Sequence, residues 1–488
     1  MRPFWAARAA RRALVASRAI RSASDARVCA AREQEAVELL RGVHDPLIER
    51  DVVSCGMARV RADVTRDGVD VVLELRSAAH PERDRLREQC ARALRDGLPW
   101  ARDITVELRA ACPSGVAPGG GAPGLERVGA AIAVSSCKGG VGKSTVAVNL
   151  AYSLARRGGR VGLLDADVYG PSLPSLISPA DVALRPSRTH EGMVLPIEHR
   201  GVRCVSFGYV NSAAAPGAGG RGAAVMRGSI VSRVINQLAT STDWGELDYL
   251  VIDMPPGTGD IQLTLSQNLV LTGAVIVTTP HPLSHIDVVK GVDMFRDLKV
   301  PPLAVVENMA YFECDGGARH YPFGRGLGTR LRDEIGVDAV FELPLSQAIG
   351  DANAYGEPLV LAETGRGAEA AVYDALAREV IVSTYRQQYR APVLPVQIEY
   401  QPARGIVLRS FDADAANEYT LMPRDVRKRD PRSGLPLEDG SAAGVPDDVV
   451  PTRLAPKGGY GVAIDWSDGH RGSIYLNSAL LRIAREPG

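Results

Sequence analysis

The chain has 488 residues, of which 45% are hydrophobic, 23% charged and 5% aromatic. This composition is typical of globular proteins, and it excludes a coiled coil, a mostly disordered chain and a small disulfide-rich domain. No uninterrupted apolar stretch approaches the roughly 18 residues that a membrane-spanning helix needs, so we expect a soluble protein with about two to four domains.

The charges balance over the whole chain but not at its N-terminus. Lysine and arginine total 57, as do aspartate and glutamate. Residues 1–34 hold eight arginines against Asp25 and Glu33, a local charge of +6, and they are rich in alanine and serine. This makeup predicts an organellar transit peptide, with a disordered basic tail as the alternative. The remaining chain then carries a charge of −6, which argues against nucleic acid as a partner.

The cysteines do not form a metal-binding or disulfide pattern. None of them makes a CxxC pair, and the seven are spread over positions 29, 55, 90, 112, 137, 204 and 314. So few cysteines in so long a chain argue against a disulfide framework. We interpret Cys90, Cys112 and Cys204 as small buried hydrophobic residues.

Residues 35–110 are predicted to form a small α/β domain. Hydrophobic periodicity indicates a helix, two strands, a second helix and a third strand, over 35–41, 57–64, 69–75, 81–95 and 104–108. Residues 111–127 then consist mainly of glycine, proline and alanine. Such a segment has little to bury, and it predicts a linker at a domain boundary.

From residue 128 the pattern changes to short apolar strands that alternate with helices. The strands are AAIAVSS, RVGLLDAD, LDYLVIDMP, AVIVTTP and PLAVVENM. Continuous apolar strands are typical of a parallel sheet covered by helices on both faces, and we assign this α/β domain to residues 128–390. Residues 395–488 alternate short strands with many turns, and they predict a small, mostly β domain.

The strongest motif is CKGGVGKST, residues 137–145, which lies between a predicted strand and a predicted helix. Glycines at such a turn let backbone N–H groups converge on phosphate oxygens. Lys143 is expected to neutralise the β- and γ-phosphates, and Ser144 to offer its hydroxyl to Mg²⁺. The chain has 51 arginines and only six lysines, two of them in this loop, which indicates that a compact ammonium is needed there. The motif predicts a P-loop that binds a nucleotide.

Aspartates end two further strands of the predicted sheet. Asp165 and Asp167 lie in LLDADVYGPS, and Asp253 ends the strand of LDYLVIDMPPGTGD in the manner of a Walker B acid. Carboxylates at such strand ends can hold Mg²⁺ or orient an attacking water. The alternative is that each of them only caps a helix N-terminus. Because all three accompany a P-loop, we favour the nucleotide role.

The second loop lysine, Lys138, gives the deviant form KGGVGKS, which resembles the MinD/ParA/nitrogenase-reductase class of P-loop ATPases. With LLDADVYGPSLP, RGSIVSRVINQL and VVENMAYF, the loop resembles the Mrp/ApbC family of iron–sulfur cluster carrier ATPases. The resemblance implies a homodimer in which Lys138 reaches the partner's nucleotide. It implies catalytic roles for Lys138, Lys143, Asp165 and Asp167 and Mg²⁺ binding by Ser144 and Asp253. It further implies ATP contacts from Gly139, Gly140, Val141, Gly142, Lys143, Ser144 and Thr145, and an adenine contact from Asn308, which alone would suggest only a turn residue.

The flanking domains resemble known modules as well. HDPLIERDVVSCG resembles the MIP18-like module (domain of unknown function 59), while YTLMPRDVRKRD and YGVAIDWSDGH resemble the domain of unknown function 971. We interpret Trp466, Asp468 and His470 of the latter as structural or partner-binding residues. The three-part order resembles the plastid high-chlorophyll-fluorescence branch of the family. It implies an ATP-hydrolysing [4Fe-4S] scaffold that works with upstream assembly factors and supplies apoproteins in the plastid stroma, whereas the Arg-rich leader favours the mitochondrial matrix.

The expected cluster ligands are where the sequence departs from the family. Bacterial relatives carry a CPxC pair after ENMxxF, whereas this chain reads YFECDGGARHYPFG with Cys314 alone. A [4Fe-4S] cluster usually takes four thiolates, so one per subunit leaves a bridging cluster two ligands short. Cys55 and Cys314 are the preferred candidates, and Cys137 of the phosphate loop is a third. His80 stands where the N-terminal module of relatives has a reactive cysteine, and an imidazole on the surface is a further possible ligand.

Two other functions stay open. A MinD/ParA-like positioning ATPase would need a C-terminal amphipathic helix or a basic surface, and we expect a mostly β C-terminus instead. An electron-transfer ATPase of the nitrogenase-reductase type would need two well-placed cysteines in the ATPase domain, where only Cys137, Cys204 and Cys314 are available. We therefore expect a cluster carrier that does not insert into a membrane.

Overall fold

The computed structural model describes most of the chain, which divides into two compact units, Met1–Ala111 and Cys112–Gly488. The described residues are 27–111, 123–210, 228–257, 262, 265–266, 269, 271–314, 316–325, 337, 339–362, 367–390, 396–412, 415–431, 435–437, 444–457, 461–470 and 473–485. Residues 1–26 of the predicted transit peptide and residues 112–122 of the predicted linker lie outside this part.

The N-terminal unit is a three-stranded sheet with helices. Its elements are α1 (27–40), β1 (His44–Asp45), β2 (Arg50–Asp51), β3 (Ala58–Asp63), β4 (Gly68–Leu75), α2 (Arg83–Gly97) and β5 (Asp103–Ala110). Strand β4 lies between β3, to which it is antiparallel, and β5, to which it is parallel. The parallel pair requires a crossover, which helix α2 provides, with Leu86, Cys90 and Leu94 buried.

The central part of the second unit is an eight-stranded sheet in the order β10-β11-β7-β12-β6-β13-β14-β17. Its strands are β6 (Val128–Ser135), β7 (Val161–Asp165), β10 (Ile197–His199), β11 (Val202–Ser206), β12 (Leu247–Asp253), β13 (Gly273–Thr278), β14 (Pro302–Glu307) and β17 (Val340–Glu342). All neighbours are parallel except the edge pair β10 and β11. The predicted parallel sheet is confirmed.

Helices cover both faces of this sheet, as the uninterrupted apolar strands require. They are α3 (Lys143–Arg156), α4 (Leu173–Leu176), α5 (Phe207–Val210), α6 (Gly228–Thr240), α7 (Pro282–Asp297), α8 (Gln347–Ala354) and α9 (Ala368–Arg390). Side chains of α6 and α7, including Ile235 and Phe295, share one core with Ile252 and Ile276 of the strands. Helices α3 and α9 pack on each other.

The described residues also form three short antiparallel strand pairs. Strands β8 (Arg185–Pro186) and β9 (Val194–Leu195) form one antiparallel pair, and β15 (Phe312–Glu313) and β16 (Arg319–His320) form another. The third is the β1 and β2 pair of the N-terminal unit. The pair of β15 and β16 contains the segment in which bacterial relatives have CPxC, so its geometry matters for whether a cluster can bind there.

The C-terminal region has two antiparallel three-stranded sheets, in agreement with the predicted mostly β character. One holds β18 (Val396–Gln401), β19 (Gly405–Asp412) and β20 (Ala415–Leu421), and the other β21 (Pro451–Lys457), β22 (Gly461–Trp466) and β23 (Ser473–Leu476). Helices α10 (Pro423–Arg427) and α11 (Asn477–Arg485) complete it. Strand β21 has the sequence PTRLAPK, whose two prolines suit its position at the edge of the sheet.

Helix α11 corrects the expectation that the chain has no amphipathic helix near its C-terminus. The helix is amphipathic, but Leu480, Leu481 and Ile483 on its apolar side are buried. They pack in one cluster with Ile464 and Trp466 of the second sheet. The apolar side of α11 is therefore used for the core of the region and does not supply the membrane-binding surface that a positioning ATPase would need.

The described residues include no helix that is both long and apolar enough to cross a bilayer.

Replacing Leu480 with Ala tests whether α11 belongs to this core. Leu480 is fully buried, and truncation of a buried leucine costs about 2–5 kcal/mol, so the variant should lose protection of the amides of residues 473–485 in hydrogen exchange. Leu435, in the same region, is half exposed, so Leu435→Ala is the matched control and should leave that protection unchanged. Equal protection in both variants would contradict the assigned packing.

Candidate nucleotide site

A cleft of about 520 Å³ opens at the carboxyl ends of the central strands β6, β7 and β12. Its volume is within the range of small-molecule pockets. The loop residues Ser136, Lys138, Gly139, Gly140, Gly142, Lys143, Ser144 and Thr145 line it, as do Asp167, Gly170, Pro171, Ser172, Ser175, Leu176 and Pro256. The structure thus brings most of the predicted nucleotide contacts to one place, and it adds Ser175 and Leu176 to the wall that the LLDADVYGPS segment forms with Gly170, Pro171 and Ser172.

The phosphate loop has the backbone geometry that its glycines predict. Strand β6 ends at Ser135 and helix α3 begins at Lys143, with Gly140 and Gly142 in the left-handed region at φ of 77° and 84°. A Cβ on Gly142 would lie 2.2 Å from Asn308 Nδ2. Gly142 therefore satisfies two constraints at once, a backbone conformation that side chains disfavour and a close approach by Asn308.

Asn308 contacts the loop rather than open space. It follows β14, and its amide Nδ2 donates a hydrogen bond of 2.8 Å to the carbonyl oxygen of the buried Val141. Its Oδ1 accepts a bond of 3.0 Å from the Met309 N–H, and Met309 has a φ of 58°. Neither Asn308 nor Val141 is among the cleft-lining residues. In this structure Asn308 braces the phosphate loop, and its expected adenine contact stays a prediction.

Lys143 forms a buried ion pair with Asp253. The lysine opens helix α3, Asp253 ends strand β12, and the two side chains are 7% and 5% exposed. Lys143 Nζ donates to Asp253 Oδ1 and also lies 3.3 Å from Ser144 Oγ. Burial raises the pKa of Asp253, whereas the charge of Lys143 and the hydrogen bonds from Lys143 and Ser144 lower it. The P-loop lysine and the predicted Walker B acid are therefore in direct contact.

Asp165 lies behind the cleft, fully buried at the end of β7. Its Oδ1 accepts from the Asp167 N–H at 3.1 Å, and its Oδ2 accepts from the Leu173 N–H at 3.1 Å and from Ser206 Oγ at 2.9 Å. Burial, and then the neighbouring charge of Asp253, raise the pKa of Asp165. Asp165 thus ties together the loop after β7, the start of α4 and the end of β11.

Asp167 is the carboxylate of this loop that faces the cleft. It lines the cavity, and its Oδ1 accepts a 3.2 Å hydrogen bond from the Gly170 N–H. The sequence grouped Asp165 and Asp167 together. The structure shows that the two lie in different places. Asp165 is buried and holds the loop together, whereas Asp167 faces the cleft.

Lys138 and Cys137 fasten the start of the loop to helix α7. The Lys138 side chain is 41% exposed, and its Nζ lies 3.7 Å from Asp287 Oδ2. The Cys137 thiol donates to the Asp287 carbonyl oxygen at 2.7 Å, and a Cβ on Gly291 would lie 2.7 Å from its sulfur. Burial raises the pKa of Cys137 to about 11. Cys137 is thus engaged in packing, and Asp287 is a partner that the sequence patterns did not reveal.

The two preferred cluster cysteines lie in different units. Cys55 follows the β1 and β2 pair, and burial raises its pKa. Cys314 lies in the turn between β15 and β16, where its N–H donates to the Ala318 carbonyl at 3.1 Å. Both are partly exposed. Across the described residues, no three or more His, Cys, Asp or Glu side chains are grouped so as to hold a metal ion.

His80 is buried, which corrects the expectation of a surface histidine. Its Nδ1 accepts from the Glu82 N–H at 3.2 Å, and its Nε2 lies 3.2 Å from Asp45 Oδ2, with both side chains 0% exposed. Both ring nitrogens therefore face protein groups in a buried position, which does not favour the predicted iron ligation. Cys90 and Cys204 are fully buried, in agreement with their interpretation as small hydrophobic residues, while Cys112 lies outside the described residues.

The WSDGH segment is held by contacts within its own region. Trp466 is buried and packs edge-on against Tyr475, with 6.0 Å between the ring centroids. Asp468 pairs with Arg427 at 3.0 Å, and His470 Nε2 lies 2.5 Å from Ser473 Oγ. These contacts agree with a structural role and leave a partner-binding role untested.

The fold and the cleft define a P-loop NTPase with a second lysine in its phosphate loop, and comparisons with known proteins agree. Residues 127–381 match the family described as NUBPL iron-transfer P-loop NTPase, and residues 33–108 match the family described as iron-sulfur cluster assembly protein. The chain therefore belongs to the iron-transfer P-loop NTPases, and the resemblance to the Mrp/ApbC family of cluster carriers is confirmed.

Individual relatives extend this match over nearly the whole chain. The "Fe-S cluster assembly factor HCF101, chloroplastic" of Oryza sativa is 42% identical over 478 residues, 96% of this chain and 85% of that protein. The protein of the same name from Arabidopsis thaliana is 41% identical over 444 residues, 90% of this chain and 80% of that protein. The "Iron-sulfur cluster carrier protein" of Deinococcus radiodurans is 41% identical over 350 residues, 71% of this chain and 95% of that protein.

Alanine at Gly142 should destabilise the nucleotide-free protein. The substitution adds a Cβ at a φ of 84° and against Asn308 Nδ2, so we expect a loss of more than about 1 kcal/mol in the free energy of unfolding and a lower Tm. Gly139 is the matched control, because a Cβ there meets nothing within 4 Å. Calorimetry without nucleotide should show Gly139→Ala near wild type, and an equal effect of both variants would contradict the loop geometry.

Proposed function

We propose that this protein is an ATP-hydrolysing scaffold that carries [4Fe-4S] clusters and transfers them to apoproteins. The observation that carries the proposal is a P-loop cleft with two lysines in a chain that belongs to the iron-transfer P-loop NTPases. The names of two relatives, an Fe-S cluster assembly factor and an iron-sulfur cluster carrier protein, support an iron–sulfur cluster as the cargo. Upstream assembly factors and apo client proteins are the partners that this role requires.

The proposed nucleotide chemistry follows from the cleft. The backbone of residues 139–142 would cradle the phosphates, with Thr145 beside them. Lys143 would exchange its bond to Asp253 for the β- and γ-phosphates, since phosphate oxygens are strong acceptors for an ammonium. Asp167, at the cleft wall, is the carboxylate best placed to orient an attacking water. We propose Asp165 as the residue that positions this loop.

Mg²⁺ suits the oxygen donors next to Lys143. The Ser144 hydroxyl and the Asp253 carboxylate both lie next to Lys143 Nζ, and hydroxyl and carboxylate oxygens are the ligands that Mg²⁺ prefers. When bound, Mg²⁺ would neutralise charge on the phosphates. We therefore propose Ser144 and Asp253 as its protein contacts.

Lys138 supports a homodimer that closes on ATP. Its side chain is 41% exposed and its described ion pair, with Asp287, spans 3.7 Å. Such an exposed pair contributes about 0–1 kcal/mol, so Lys138 can leave it at little cost for a phosphate. We propose that this phosphate belongs to the nucleotide of a second copy, as the family resemblance implies.

Cluster binding is proposed at the partly exposed cysteines. Cys314 and Cys55 are accessible to iron, whereas burial raises the pKa of Cys90 and of Cys204 to about 12 and makes their thiolates unfavourable. Two copies would offer two Cys314 thiolates to one bridging cluster. Cys55, in the N-terminal unit, is proposed as a separate iron ligand.

We propose the plastid stroma as the location, supported by the word chloroplastic in the names of two relatives. The mitochondrial matrix stays a prediction from the composition of residues 1–34. We propose three domains in the order 35–110, 128–390 and 395–488. The first contains Cys55, and the second contains the site of ATP hydrolysis.

Lys143→Ala tests the proposed hydrolysis of ATP. Removing the buried ammonium takes away the contact proposed for the β- and γ-phosphates, so ATP hydrolysis by the full chain should fall to background, a loss of at least about 100-fold. Phosphate release under saturating Mg²⁺ and ATP is the measurement. Lys428→Ala, in the C-terminal region, is the control and should hydrolyse ATP at the wild-type rate. Unchanged hydrolysis in Lys143→Ala would sink the nucleotide assignment.

Anaerobic reconstitution with iron and sulfide tests the cargo. Wild type should bind about four irons per dimer and activate an apo [4Fe-4S] enzyme. Cys314→Ser and Cys55→Ser should bind less iron, while Cys137→Ser should match wild type because its thiol is already bonded to helix α7. No iron and no transfer with ATP hydrolysis intact would refute the carrier role. Iron loss in Cys137→Ser alone would refute the ligand assignment.

A further inference from the structure

Asn353, which no motif marks, lies against the phosphate loop. It is in the last turn of helix α8, and its amide Nδ2 donates to the Thr145 hydroxyl oxygen Oγ1 at 3.3 Å. Thr145 lies in the first turn of helix α3 and lines the cleft. Asn353 itself is not among the cleft-lining residues, so its route to a bound nucleotide passes through Thr145.

The chemistry of this contact fixes the direction of the Thr145 hydroxyl. An amide N–H can only donate, so Thr145 Oγ1 must accept from Asn353. A hydroxyl has a single proton. Because Thr145 Oγ1 accepts from Asn353, this proton points away from Asn353. Phosphate oxygens only accept hydrogen bonds, so a hydroxyl arranged in this way is ready to donate to one.

Other contacts hold α8 in place without Asn353. At its start the Ser346 hydroxyl accepts from the Ala348 N–H at 3.2 Å, and just after its end the Glu357 N–H donates to the Ala352 carbonyl at 3.0 Å. The next segment is fastened to α3 by Val360, whose N–H donates to Asn149 Oδ1 at 3.2 Å and whose carbonyl accepts from Arg156 Nη1 at 2.9 Å. The amide of Asn353 is therefore not required to dock the helix.

We propose that Asn353 is a positioning residue for the nucleotide, which holds the Thr145 hydroxyl as a donor to a phosphate oxygen. The proposal rests on the nucleotide binding in the proposed function and not on the cluster cargo. Asn353 makes no contact with the nucleotide in this scheme. Its effect should therefore exist only while Thr145 has a hydroxyl.

The first experiment is the Kd of the full chain for Mg-ADP, measured by titration calorimetry. Asn353→Ala should weaken binding between about twofold and tenfold, the effect of one hydrogen bond, with an unchanged Tm. Asn353→Asp should weaken it further, because a carboxylate accepts the Thr145 proton and adds negative charge near the phosphates. Gln347→Ala, at an exposed position of the same helix, is the control and should bind as wild type does.

A double-mutant cycle separates positioning from general packing. In the Thr145→Val background, which lacks the hydroxyl, Asn353→Ala should have no further effect on Kd. In the Thr145→Ser background, which keeps a hydroxyl, Asn353→Ala should again weaken binding by the wild-type factor. A purely structural role would give the same factor in both backgrounds.

The outcomes distinguish this proposal from the one on which it rests. Wild-type binding of Mg-ADP with no change in Asn353→Ala, or an effect of Asn353→Ala that persists beside Thr145→Val, would overturn the positioning role alone. A wild-type chain that binds no Mg-ADP would overturn the proposed function and this role with it. Weaker binding that requires the Thr145 hydroxyl supports both.

Discussion

The buried contact between Lys143 and Asp253 is the interaction on which the candidate site depends. It joins the start of α3 to the end of β12, and β12 is hydrogen-bonded in register to both β6 and β7. Two charges buried without each other would cost several kcal/mol, so each requires the other in the nucleotide-free protein. The pair therefore holds the end of the glycine-rich loop against the central strands of the sheet, and it keeps the lysine at the cleft.

The charge balance around this pair explains why the site suits a nucleotide with a divalent cation. Asp165 and Asp253 are register partners on adjacent strands, and Asp167 follows two residues after Asp165. Burial raises the pKa of Asp165 and of Asp253, and so does the charge of a neighbouring carboxylate, Asp253 for Asp165 and Asp167 for Asp253. Lys143 lowers the pKa of Asp253 but offsets only part of this effect. In the proposed function, phosphates would draw Lys143 away from Asp253 and leave the carboxylates with an excess of negative charge, which a divalent cation would balance.

The candidate cluster segment is connected to the same loop through Asn308. Asn308 holds the Val141 carbonyl, and Cys314 follows it by six residues in a hairpin. In place of a CPxC pair, this hairpin has Arg319 stacked over Tyr311 at 4.3 Å and a turn closed by the Gly317 N–H on the Cys314 carbonyl. The hairpin is thus connected to the phosphate loop through Asn308, and it carries a single thiol. A cluster bound at this hairpin would therefore receive one thiolate from each subunit instead of the two that a CPxC pair provides.

The sequence by itself determined the parallel sheet, the phosphate loop and the strand-end aspartates, because these depend on local patterns: continuous apolar strands, glycines at a fixed spacing, and acids directly after strands. It could not indicate Asn353 or Asp287, since their side chains and backbone meet the phosphate loop through contacts with residues more than 140 positions away. The sequence also predicted a surface position for His80, which is buried next to Asp45. It did not predict α11, whose apolar side packs in the core around Trp466. Local propensity decides which elements form. Which side chains meet is decided only when distant elements pack and bring their hydrogen-bonding groups together.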